Sequence, residues 1–155
     1  MDFKTPSSRA VWTSLLLVLA IGYVFAATQI YLTAGVTPAS IVKHYQGDDE
    51  EMIAPMTAER LTMLSHAHML TMPWILLPAA WIFSRSRRLG EGVKTIIIVT
   101  SFAGIVVDIG SWWGVRYLGK PMLVPLFAGG AMMGAGFIAM TGYSLIHIWR
   151  ENHET

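Results

Sequence analysis

The sequence predicts an all-α integral membrane protein, a four-transmembrane-helix up-down bundle with a short surface helix in its first outer loop. Two observations lead there. Of 155 residues, 54% are apolar and 14% charged, with a mean hydropathy of +0.50, which is too apolar for a soluble domain of this size. The charges also leave four long windows free of Asp, Glu, Lys and Arg: residues 10–42, 61–84, 95–115 (broken only at Asp108) and 121–149. Each window holds the roughly 20 residues that cross about 30 Å of hydrocarbon. The chain reads as one membrane domain, residues 1–155, with spans near 11–33, 61–83, 95–115 and 122–148.

The first span follows Lys4 and Arg9, and Val24-Phe25-Ala26 resembles a signal-peptide cleavage site. The apolar run from Val11 to Leu32 outlasts a signal core of about 7 to 15 residues, so a retained helix is expected. The outer loop, residues 34–60, contains Thr37-Pro38, an N-cap followed by proline at the first helical position. A helix over Pro38–Gln46, ended by Gly47, would carry Ile41, Val42 and Tyr45 on an apolar side and lie on the outer surface as a lid.

The second span holds His66, His68, Pro73 and Pro78. Each proline removes a backbone donor, so a bend below the histidines is expected. In the third span Ser101, Gly104, Asp108 and Ser111 recur at helical spacing and form one small or polar stripe, which should face inward. Gly110 to Gly114 in the third span and Gly130 to Gly134 in the fourth are both G-x-x-x-G, a pattern of close helix packing or dimerisation, or alternatively a flat face for a cofactor.

Lys4, Arg9, Arg85, Arg87, Arg88, Lys94 and Arg150 fall on one side of this topology. Lys43, Arg60, Arg116 and Lys120 fall on the other, with Asp48, Asp49, Glu50, Glu51 and Glu59. The positive-inside bias then puts both termini in the cytoplasm of a bacterial inner membrane, and the loop helix outside. The chain has no cysteine, which excludes disulfides, thiolate metal sites, iron–sulfur clusters and covalent haem attachment. A net charge of +1 gives no sign of nucleic-acid binding.

Ionisable groups within a membrane are costly and mark cofactors, ion paths or proton relays. His66, His68 and Asp108 are therefore the first candidates, about 7 to 11 Å below the outer ends of their predicted helices. Gln29 lies slightly nearer the surface, and His44 lies above them on the loop helix. Residues two apart on a helix point about 200° apart, so one of His66 and His68 at most serves as a ligand, and His68 is preferred as the deeper. Met72 is a candidate soft ligand and Trp74 a candidate pocket wall. The other tryptophans, Trp112 and Trp113 included, fit aromatic belts. His147 reads as interfacial and His153 as part of the tail.

The order T-P-x-x-I-x-x-H-Y-x-G-D-x-E from Thr37, then S-H-A-H-M-L-x-M-P from Ser65, resembles a pattern in small uncharacterised bacterial four-span membrane proteins with an H-x-H near the start of the second span. The resemblance covers about a quarter of the chain and implies a bacterial inner membrane, but carries no activity to any residue.

Two function classes follow from the residues. In the first, the bundle holds haem b or a transition metal (iron, copper or zinc) for electron transfer in a respiratory membrane, with His68, His66, His44 and Asp108 as the metal set. In the second, it is a non-catalytic membrane subunit or small transport component with a proton path, joined to a larger complex or to a second copy through the glycine faces of spans three and four. A third reading, intramembrane metal-dependent hydrolysis, lacks a clear general base.

Overall fold

The structure, a computed structural model, describes residues 5–86 and 89–150. Lys4, Arg87, Arg88 and His153 lie outside the described residues. Five helices follow one another: α1 (Pro6–Thr33), α2 (Pro38–Gln46), α3 (Ala58–Ser84), α4 (Glu91–Leu118) and α5 (Leu123–Arg150). All but α2 are long and apolar enough to cross a membrane. Each long helix overruns its predicted span at one end or both, because flanking polar residues such as Thr5 and Thr57 cap the helices outside the apolar window.

The helix ends follow from local chemistry. Thr5 accepts from the Ser8 amide and Thr57 from the Arg60 amide. Thr37 and Ser40 form a reciprocal capping box before Pro38, and α2 ends at Gly47, whose φ of 81° suits a residue without Cβ. At the opposite end of the bundle, which carries the described end of the chain at Arg150, Lys94 reaches across to α3. Its Nζ donates to the carbonyls of Ser84 and Ser86 at 2.8 and 3.0 Å and pairs with Glu91 at 2.6 Å. A buried lysine is thereby satisfied while the last carbonyl of α3 and that of Ser86 just beyond it gain a donor.

Packing centres on α4 against α5, with α3 lying on both. The stripe on α4 faces α5: Ser101 fits against Gly136, and Gly104 against Gly129 and the Met133 amide. A methyl on Gly104 would meet the Gly129 carbonyl oxygen at 2.8 Å, so these backbones touch because neither residue has a side chain. Gly114 is filled by Met122 and Gly134 by the Tyr23 hydroxyl. The faces around Gly104, Gly114, Gly129, Gly134 and Gly136 are therefore taken up by contacts inside this chain. Gly110 and Gly142 keep open space.

Helix α1 is attached only over its first half. Leu16 is fully buried, Tyr23 stacks on Phe137 at 5.0 Å, and Trp149 Nε1 donates to Thr13 Oγ1 at 3.1 Å. Residues 24–33 are all exposed. The lid, in contrast, is clamped: Ile41 and Tyr45 are buried with Leu61, Val115 and Leu123. Gln46 donates to the Val115 carbonyl at 3.1 Å and Arg116 Nε to the Met56 carbonyl at 2.7 Å.

Candidate functional site

Tyr23 on α1, His68 on α3 and Asp108 on α4 each lie about ten residues, or ~15 Å, from the α2-side end of their helices. This is deeper than the sequence estimate because those helices extend beyond the charge-free windows. Asp108 is the hub. Its carboxylate interacts with the Trp112 side chain and the His68 ring, and Tyr23 and Tyr45 both feel its charge. The backbone of Asp108 is pressed onto Gly129, and its Oδ1 stands 3.8 Å from where a Cβ on Gly130 would be. All five helices thus contribute to one polar centre.

His68 is held in a defined way. Its Nδ1 lies 2.8 Å from the Leu64 carbonyl oxygen on its own helix. A carbonyl only accepts, so Nδ1 carries the proton and the neutral ring keeps its lone pair on Nε2. Trp112 meets the ring edge-on at 5.0 Å and 85°. One turn further along α3, Met72 shares this face and packs against the core.

Other candidates lie elsewhere. His66, 200° around the helix from His68, is exposed. Trp74 is 72% exposed and faces outward, since six residues of helix turn it about 120° away from His68, so it lines no pocket. Gln29 lies on the unattached half of α1. His44 points to the far side of α2, towards the Thr33 backbone and Arg60. Burial and the Arg60 charge push its imidazole below the usual range. Among the described residues no three His, Asp and Glu side chains come together as a metal-holding group. The acidic cluster is also engaged away from the centre, Asp48 with Lys43 at 3.2 Å and Glu51 with the same Lys43.

Sequence reasoning missed Trp112, Tyr23 and Tyr45 as parts of the centre. Trp112 looked like a belt residue, yet it lies four positions after Asp108 on the same face, a spacing that pointed to the role. Its neighbour Trp113 instead donates to Ser65 Oγ at 2.9 Å. Tyr45 is buried beneath the lid, and burial together with the Asp108 charge pushes its phenol above the ordinary tyrosine range, so it stays a hydrogen-bond donor.

A further set of buried polar groups continues towards the opposite end: Ser101, Thr141, Ser144 and His147. Ser144 Oγ donates to the Ala79 carbonyl at 3.0 Å, whereas Thr141 Oγ1 is buried without a partner. His147, in the last turn of α5 and so at the inner end expected for it, is buried within the bundle.

A family described as a transmembrane helical domain matches residues 35–155. The chain belongs to this family. No curated protein and no solved structure matches it. The transmembrane helical domain so matched contains α2 to α5 and hence His68, Trp112, Tyr45 and Asp108; α1, which supplies Tyr23, precedes it.

Proposed function

We propose that the protein is a small component of a bacterial inner membrane, with both termini cytoplasmic, in which the His68–Asp108 pair receives and passes a proton. The supporting observation is the arrangement of His68. Its Nδ1–H is committed to the Leu64 carbonyl, leaving a basic Nε2 in the field of a carboxylate within a membrane span. Imidazole and carboxylate in such positions are the usual elements of intramembrane proton relays. The buried hydroxyls of Ser101, Thr141 and Ser144, with His147 beyond, provide polar positions for continuing the path. Partners in a larger complex would use faces left open by the bundle, such as those of Gly110 and Gly142, because the faces around Gly104, Gly129 and Gly136 are filled from within.

A second reading keeps His68 as ligand to haem b or to an iron, copper or zinc ion serving electron transfer. It is favoured by the same lone pair on Nε2, with Met72 one turn away as a soft second donor and Asp108 orienting the imidazole. Against the haem, Gly104, Gly129, Gly134 and Gly136, the faces flat enough to receive a porphyrin, are occupied by neighbouring helices and side chains.

Proteoliposomes with a trapped pH indicator test the relay. An imposed pH gradient should collapse faster than in empty vesicles, and Asp108→Asn and His68→Gln should each slow the collapse. Wild-type vesicles no leakier than empty ones would overturn the reading. A Soret band, or stoichiometric metal lost in His68→Gln, would replace it with the second.

A further inference from the structure

A cleft of about 610 Å³ opens on the far side of α2 from the His68–Asp108 centre, between the end of α1, α2 and the start of α3. Its apolar wall is made by Tyr31, Leu32, Ile53 and Met56, its cations are Arg60 and Lys43, and His44 adds an imidazole whose charged form is disfavoured by burial and by the Arg60 charge. The volume lies within the usual range for small-molecule and cofactor sites.

The charges around the cleft are unbalanced. The Lys43 Nζ, however, is shared by Glu51 and Asp48, which hold it well inside the protonated form, and Lys43 in turn holds Asp48 below the usual carboxylate range. Arg60 is exposed and has no acidic partner among the described residues; only its backbone amide is engaged, by Thr57. An exposed guanidinium with a free fork of donors at the edge of a cleft is suited to an oxyanion, and to phosphate in particular.

Height selects the ligand further. Arg60 immediately precedes the charge-free run of 61–84, and Thr33 is the last residue of α1, so the cleft lies at the boundary between polar and apolar phases. Above Tyr23 the faces of α1 are exposed, Phe25 by 71%, leaving a lateral opening along which an acyl chain can lie. We propose that this cleft binds a phosphate-bearing anion, held by Arg60, from either an anionic lipid headgroup or a soluble phosphate compound.

Native mass spectrometry of the full chain tests this, with the protein offered phosphatidylglycerol, phosphatidylcholine or inorganic phosphate. Phosphatidylglycerol should be retained in preference to phosphatidylcholine, and Arg60→Gln should reduce its retention about fivefold. Arg60→Lys should restore most of it, and Lys120→Gln, an exposed cation at the same end, should leave it unchanged. Retention that withstands millimolar phosphate supports the lipid headgroup; Arg60-dependent displacement by phosphate supports the soluble source. Equal retention of both lipids, or retention indifferent to Arg60→Gln with no phosphate binding, overturns the proposal. Because Arg60 lies outside the relay, failure here leaves the proton-flux result standing.

Discussion

The α4–α5 contact and the α2-side half of α1 are both apolar helix, yet one is the centre of the fold and the other barely joins it. Along α4 and α5, glycines and serines let backbones touch, and Asp108 is held against Gly129 by that closeness. Along residues 24–33 of α1 every side chain is exposed, with the chain returning towards it only at the end beside His44, and Gly22 has open space around it. Lipid tails are as apolar as leucine, so hydrophobicity alone does not assemble helices in a bilayer; close packing of small residues does. The difference explains why the polar centre around Asp108 forms on α3, α4 and α5 and receives from α1 only Tyr23, which stands at the limit of the attached half.

The harshest way to break this contrast is Gly129→Leu. A Cβ there would meet the Asp108 backbone, its Cα at 2.9 Å, and backbone yields far less than a flexible side chain. Overpacking of this kind costs about 1–3 kcal/mol, and a clash with backbone belongs at the upper end. Thermal unfolding in detergent should show a marked drop, whereas Gly22→Leu on α1 should match wild type. Equal loss in both variants would abolish the distinction.

Next in size is Asp108→Asn, which keeps the shape but removes the charge. Proton flux through proteoliposomes should fall by about two orders of magnitude, the scale of a lost acid–base group, while helix content stays the same. Unchanged flux would reduce Asp108 to a packing element.

Trp113→Phe removes the bond to Ser65 Oγ and should cost about 1 kcal/mol of stability, measured by chemical unfolding. No loss would mean that the α3–α4 contact depends on packing alone.

A subtler effect should appear at the lid. His44 titrates below its free value of 6.5, so the unfolded chain binds more protons than the folded one in the interval between the two values. The docking of α2 is then fully supported above pH 6.5 and weakens as pH falls through the lower, folded value. The opening equilibrium of α2 amides, read from hydrogen exchange corrected for its intrinsic pH-dependent rate, should rise as pH falls from 8 to 5, and His44→Gln should flatten the rise. An identical rise in that variant would assign it to other groups.

Smallest of all, Val24→Ala and Phe25→Ala should change stability by less than about 0.5 kcal/mol, because neither side chain is buried within this chain.

Much of this fold is legible in the residues. Charge-free windows gave the four spans, and Thr37, Pro38 and Gly47 gave both ends of α2, since capping chemistry is local. The inward stripe through Asp108 was legible because 3.6-residue periodicity assigns a face without knowledge of the partner. Azimuth also separates His68 from His66. The same rule put Trp74 off the site, but its depth drew attention ahead of its angle. Which neighbours would meet Asp108 was not legible: Tyr23 and Tyr45 arrive from other helices, and no pattern within one helix encodes the rotation of the next. Nor did hydropathy reveal that α1 is only half attached, because a lipid-facing and a bundled helix have the same composition.

Placement of His68 beside Asp108 is tested most directly by oxidative crosslinking of engineered cysteine pairs, clean here because the chain has no cysteine of its own. In membranes, the pair His68→Cys with Asp108→Cys should form an intramolecular disulfide, while His66→Cys with Asp108→Cys should not. Crosslinking at 66 and 108, with none at 68 and 108, would turn α3 around and leave Asp108 without its imidazole.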